Sequence, residues 1–273
     1  MIEPKALRII VLSVVVLAIA FGILSFLKIQ YQFYIWEVFV DLKILSLLFI
    51  AIFFKRKSLF QFTLDNLHLK KWKVTTNVLW FFSPIFFYAV VVSSGMVFHH
   101  MHLESFDNAA TLMLATLFDI PAIFVFSATT ILIEEIFFRA MVFDSLRMRK
   151  SFWISVVISS LLWGFFSATE IIGLGSPTIG ASCSIAFYFI STGVLCTILV
   201  AKYNSVWVSY SFRIGIISLT PLILPSLLVE SDAFFGTKLT MYNAEGPGVS
   251  LLIGAIAFFI GISTSKNKSI LTA

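Results

Sequence analysis

Residues Ile133-Glu134-Glu135-Ile136-Phe137-Phe138-Arg139, IEEIFFR, set two adjacent carboxylates and an arginine inside a long apolar run. Charges in such a setting are costly and are functional candidates unless partners neutralise them. On a helix, Glu135 and Arg139 stand at i and i+4 and share one face, so they can pair. Glu134 is rotated about 100° from Glu135 and cannot share Arg139 equally well. Two readings of Glu134 follow. Without a local partner it is a candidate general base. Alternatively it pairs with a charge on another helix, such as Arg213.

The rest of the chain defines the solvent around this stretch. Of 273 residues, 59% are hydrophobic, 12% are charged and 31 are Phe. Soluble domains carry about 25% charged residues, so the composition predicts an integral membrane protein. Crossing a bilayer takes roughly 20 apolar residues. The candidate runs are 7–27, 34–54, 76–98, 112–145, 152–171, 183–201, 205–224 and 248–264. Asp119 and Pro121 divide the overlong fourth run into a lead-in and a helix proper. The expected fold is therefore all-α: a polytopic helix bundle of about eight transmembrane helices, forming one domain over 1–273. The first run follows MIEPKALR with no small-residue cleavage pattern and is read as a retained span.

Loop charges orient the bundle. Lys5, Arg8, Lys55, Arg56, Lys57, Lys70, Lys71, Lys73, Arg147, Arg149, Lys150, Lys202, Lys266 and Lys268 fall on one side, against Lys28 and Lys238 on the other. The positive-inside rule then puts both termini in the cytoplasm. The formal charge of +5 is distributed over loops and carries no nucleic-acid signature. Lys43, Arg139 and Arg213 lie inside apolar runs and need partners; Asp119, Asp144 and Glu170 are further charges within the runs, and those near span ends can snorkel. Glu37 and Asp41, with Lys43, sit at the start of the second run and read as interfacial. Cys183 and Cys196 are 13 residues apart on one helix, about 20 Å, too far for a disulfide.

An EE-xxx-R stretch in a polytopic membrane protein resembles the first motif of the CAAX-protease and bacteriocin-processing family, the glutamic-type intramembrane endopeptidases. The resemblance covers about 110–224. It implies a helix bundle with a polar site inside the membrane, and a catalytic Glu matching Glu134, supported by Glu135 and Arg139. It implies two histidines on later helices that join the Glu in activating a water for peptide hydrolysis. In SFWISVVISSLLWGFFSATE, Phe166 matches the second-motif Phe, and the His position holds Glu170. In NSVWVSYSFRIGIISL, counted from Trp207, the third-motif His position holds Arg213, and the Asn position after it holds Ile217. The chain's histidines are His68, His99, His100 and His102, none on a helix that should carry one.

Glu170 and Arg213 are thus an anion and a cation at two former His positions, and the expectation is that they pair across the cavity. The function expected is that of a pseudo-protease acting by binding. The alternatives are an active peptidase using a Glu134/Glu170 carboxylate pair with Arg213 as oxyanion stabiliser, a small-solute transporter, or a membrane partner-binding or immunity protein. Against transport, no inverted repeat is visible, and Gly173, Gly175, Pro177 and Gly180 read as a loop. No cofactor and no metal are expected; His99, His100 and His102, near Glu104 and Asp107, read as a polar cap. The implied partners are the lipid bilayer and a peptide or membrane-protein substrate, with no nucleic acid. The implied location is a bacterial or archaeal cell membrane. The acidic loop 225–247 is expected to cover the non-cytoplasmic mouth.

Overall fold

The structure is a computed structural model that describes residues 8–9, 11–16, 19–20, 23, 45–53, 63–97, 101–103, 128–172, 179–231 and 247–269. Helical residues lie within the first two apolar runs, at 8–9, 11–16, 19–20 and 23 and at 45–53. After them come α1 (Val74–Val97), β1 (Met101–Leu103) and α2 (128–147). Then follow α3 (Phe152–Ile172), α4 (Ile179–Tyr203), α5 (Val206–Leu227), β2 (Leu228–Ser231) and α6 (Pro247–Ser269). Residues 104–127, with Asp119 and Pro121, lie outside the described residues, as do Lys43, His99 and His100. Cys183 and Cys196 are both free thiols on α4.

α4 is the hub, packing against α3, α5, α6 and the middle of α2, while α1 lies along α5. Apolar surface explains this order. Trp80 and Phe87 of α1 close edge-on against Phe212 of α5, with ring centroids 6.0 and 5.7 Å apart. A second cluster gathers Phe137, Phe138, Met141 and Val142 of α2 with Trp163 and Phe166 of α3. Small polar residues such as Ser159, Ser160, Ser191, Thr192 and Thr197 are buried at the contacts, where they let helices approach closely. Outward faces carry exposed Leu79, Phe82, Phe86, Phe165 and Phe259, which suits lipid. Among the described residues, Cys183–Tyr203 and Gly248–Ser265 are long and apolar enough to cross a membrane, and Val74–Val90, Phe152–Ala168 and Val206–Leu219 are shorter apolar stretches.

One glycine fixes the α1–α5 contact. A Cβ on Gly215 would lie 2.0 Å from the Phe81 carbonyl oxygen, a backbone atom that cannot swing away. Gly215→Ala is therefore expected to destabilise the fold by about 1–3 kcal/mol or more, read by denaturant unfolding of the detergent-solubilised protein. A neutral result would contradict this close approach.

The helical pattern has one addition that hydropathy does not reveal. β1 and β2 pair antiparallel, with Met101 opposite Ser231 and Leu103 opposite Leu228. The ribbon joins the segment after α1, which carries His102, to the end of α5. The opposite end of the bundle is tied by the turn 63–73. Leu69 N–H donates to the Leu64 carbonyl and His68 N–H to the Asp65 carbonyl, the paired bonds of a Schellman ending. His68 occupies its left-handed position with φ 54°, where glycine is usual. The retained side chain has a use, since the imidazole pairs with Asp144 of α2. Asp144, counted among the intramembrane charges, is thus partnered at the end of α2.

Candidate functional site

The IEEIFFR stretch lies within α2, where the hydrogen-bond register changes. Residues 128–135 are α-helical, Ile136–Phe143 form a π-helix, and Asp144–Arg147 return to α. Backbone angles at Glu135 (φ −62°, ψ −42°) and Asp144 (φ −64°, ψ −37°) are helical, so α2 is continuous. π segments are rare and frequent at functional sites. Seven of the eight π residues are buried, so the widened turns are held by surrounding packing. Ser159 of α3 also donates to the Phe138 carbonyl at 2.9 Å, giving the widened backbone a partner outside its own helix.

The two carboxylates sit just before this change. Arg213 of α5 reaches both. Its Nη2 donates to Glu134 Oε2 at 2.8 Å and its Nη1 to Glu135 Oε1 at 3.0 Å. Trp163 of α3 adds an indole N–H to Glu134 Oε2 at 3.0 Å. Of the two readings of Glu134, the structure takes the second. The rotation that turns Glu134 away from Arg139 turns it toward α5. A carboxylate only 5% exposed is strongly penalised unless a charge meets it there.

Arg139 completes the cluster in a looser way. Its Nε lies 3.5 Å from Glu135 Oε2, so the i,i+4 pair exists. None of its guanidinium nitrogens has a hydrogen-bond partner among the described residues. The π segment that begins at Ile136 is hydrogen-bonded i→i+5 and not i→i+4, which changes the angle between Glu135 and Arg139 from the one α spacing implies. Arg139 is fully buried and rests on the Trp163 ring, its Cζ 4.8 Å from the centroid, while Arg213 Cζ is 4.6 Å from the same ring. Both distances fall within cation–π range. Trp163 fits because α4 offers Gly193 opposite it, where a Cβ would lie 2.9 Å from Trp163 Cε3.

Two carboxylates and two guanidiniums therefore balance around one indole. Glu135 and Arg139 form the inner layer, at 0% exposure, and Glu134 and Arg213 the outer one. Cys196 of α4, also fully buried, lies within electrostatic reach of Glu135, Arg139 and Arg213. Glu170 falls on α3, but its side chain lies outside the described residues, and so does the expected Glu170–Arg213 pair. Among the described residues, no group of His, Cys, Asp and Glu is arranged to hold a metal ion.

Residues 116–216 match the family model of the Rce1-like, type II CAAX prenyl endopeptidases. Over this segment the chain is similar to the CAAX-protease family. The matched segment contains α2, α3, α4 and the first half of α5, and every residue of the charge cluster falls inside it. The family is membrane-embedded, in keeping with the two long apolar helices. Comparison with the curated proteins finds no match for the chain.

Trp163 and Cys196 escaped the sequence reading. For Trp163 a signal existed, since it precedes Phe166 by three residues and Glu170 by seven, on one face of the CAAX-protease helix α3. For Cys196 no comparable signal is visible.

Proposed function

We propose that the chain is a non-hydrolytic member of the CAAX-protease family that binds a peptide or membrane-protein segment within the bilayer. The observation that carries this reading is the Arg213 clamp across Glu134 and Glu135. A general base must present an oxygen able to take a proton from water. Glu134 Oε2 already accepts bonds from Arg213 and Trp163, so that oxygen is engaged in the clamp. Arg213 stands where the family pattern places a histidine, and a guanidinium cannot be deprotonated in a protein. It can neither relay a proton nor hand one back. The outer layer remains useful for binding, because the clamped Glu134–Arg213 pair keeps 5% and 8% of its surface exposed and offers a polar edge to an apolar peptide.

The same proposal places about eight spans in a bacterial or archaeal cell membrane, with both termini on the cytoplasmic side. Support for this comes from the loop charges and the length of the apolar runs.

The full chain, reconstituted in nanodiscs, tests this with a panel of fluorescent apolar peptides that includes one with a prenylated C-terminal cysteine. Saturable anisotropy with every peptide recovered intact by mass spectrometry is expected for at least one member. Cleavage products, or no saturable binding by any member, would overturn it.

A further inference from the structure

The charge cluster does not use the far end of α2, where three separate segments converge on His68. The His68 imidazole pairs with Asp144 of α2, and the His68 carbonyl accepts from Val206 N–H of α5 at 3.1 Å. Two further bonds dock the same turn onto the α4–α5 corner. Trp207 Nε1 donates to the Leu69 carbonyl at 2.8 Å, and Ser205 Oγ to the Lys71 carbonyl at 2.5 Å. These contacts bring together cations that are far apart in sequence. Lys71 and Lys73 come from the turn, Arg149 and Lys150 from beyond α2, and Lys202 from the end of α4, all of them exposed.

Among the described residues, Asp65 and Asp144 are the acidic groups of this turn and of the end of α2, and both are engaged. Asp65 is taken by Lys70 at 2.6 Å and Asp144 by His68. Trp72 stands among the cations with 52% of its surface exposed. Its indole is propped edge-on against Trp207, centroids 5.0 Å apart, so its exposure is built into the fold. An exposed Trp beside lysines at the end of an apolar bundle has the composition of a membrane interface, with the ring at headgroup depth and the ammonium groups at phosphate level.

We propose that this end of the bundle is a binding site for an anionic phospholipid headgroup, its phosphate met by Lys71, Lys73 and Lys202 and its glycerol region by Trp72. Charge complementarity and the fixed, exposed indole select a lipid over a soluble anion, for which an exposed aromatic ring has no use. The inference rests on the membrane character of the chain and is independent of whether the site at Glu134 hydrolyses anything.

The test uses the full chain in neutral detergent, titrated with phosphatidylglycerol, phosphatidylcholine or free glycerol phosphate, and read by native mass spectrometry. Phosphatidylglycerol is expected to bind in preference to both others. Each lysine changed to Gln among Lys71, Lys73 and Lys202 is expected to weaken binding about fivefold. A charge-matched control at Lys5, Lys266 and Lys268 should leave it unchanged. Equal loss in the control, equal affinity for phosphatidylcholine, or tight binding of glycerol phosphate alone would overturn the proposal.

A second readout needs no lysine variant. In nanodiscs, brominated phosphatidylglycerol should quench the part of the emission that Trp72→Phe removes more strongly than brominated phosphatidylcholine does. Equal quenching by the two lipids would also overturn it.

Discussion

Arg213→Gln is expected to cost about 3–5 kcal/mol of stability, because it strips the tight partner from two buried carboxylates at once. Glu134 and Glu135 are 5% and 0% exposed. After the change Glu134 keeps the Trp163 N–H at 3.0 Å, and Glu135 keeps Arg139 at 3.5 Å. Neutral glutamine can offer one amide to one carboxylate but no charge to either. Adding Glu134→Gln to this variant is expected to recover part of the loss, since it removes one of the stranded charges. Reversible denaturant unfolding in mixed micelles measures both. A loss below about 1 kcal/mol, the range of exposed pairs, would mean that the clamp carries little of the site's stability.

Trp163→Ala is expected to cost a similar amount, about 3–5 kcal/mol, through the cavity alone. Trp163 is 1% exposed, packs edge-on against Phe189 at 5.7 Å, and underlies both guanidiniums. Trp163→Phe separates its roles. It keeps an aromatic face for the cations and loses the N–H to Glu134, a bond to a charged group worth about 1.5–3 kcal/mol. The same unfolding assay should therefore order the proteins wild type, Phe, Ala. A Phe variant as stable as wild type would remove the indole N–H from the account of how Glu134 is held.

Much of the helical layout follows from apolar length, and that part was legible. The runs 76–98, 152–171, 205–224 and 248–264 correspond to Val74–Val97, Phe152–Ile172, Val206–Leu227 and Pro247–Ser269. Helix ends run past the apolar residues because hydrogen bonding continues where hydropathy stops. The π register of Ile136–Phe143 was not legible, because composition does not distinguish an i+4 from an i+5 bond; packing against α3 and α4 does. The ribbon of Met101–Leu103 with Leu228–Ser231 pairs segments more than a hundred residues apart, and neither carries a strand pattern by itself.

At the site, spacing alone paired Glu135 with Arg139 and set Glu134 apart, and it left Glu134 either partnerless or paired across helices. What decided between these was the reach of Arg213 from α5, a tertiary fact. His68 shows the same limit. It reads as a loop histidine in the sequence, and only the fold brings it to Asp144.

The central claim is that Arg213 has taken Glu134 out of acid–base work. The measurement that meets it most directly compares peptide cleavage by wild type and Glu134→Gln, both in nanodiscs and over matched peptides. The account predicts no cleavage by wild type above the Glu134→Gln background. Cleavage by wild type that disappears in Glu134→Gln would contradict it, and would make the carboxylate a working base despite its clamp.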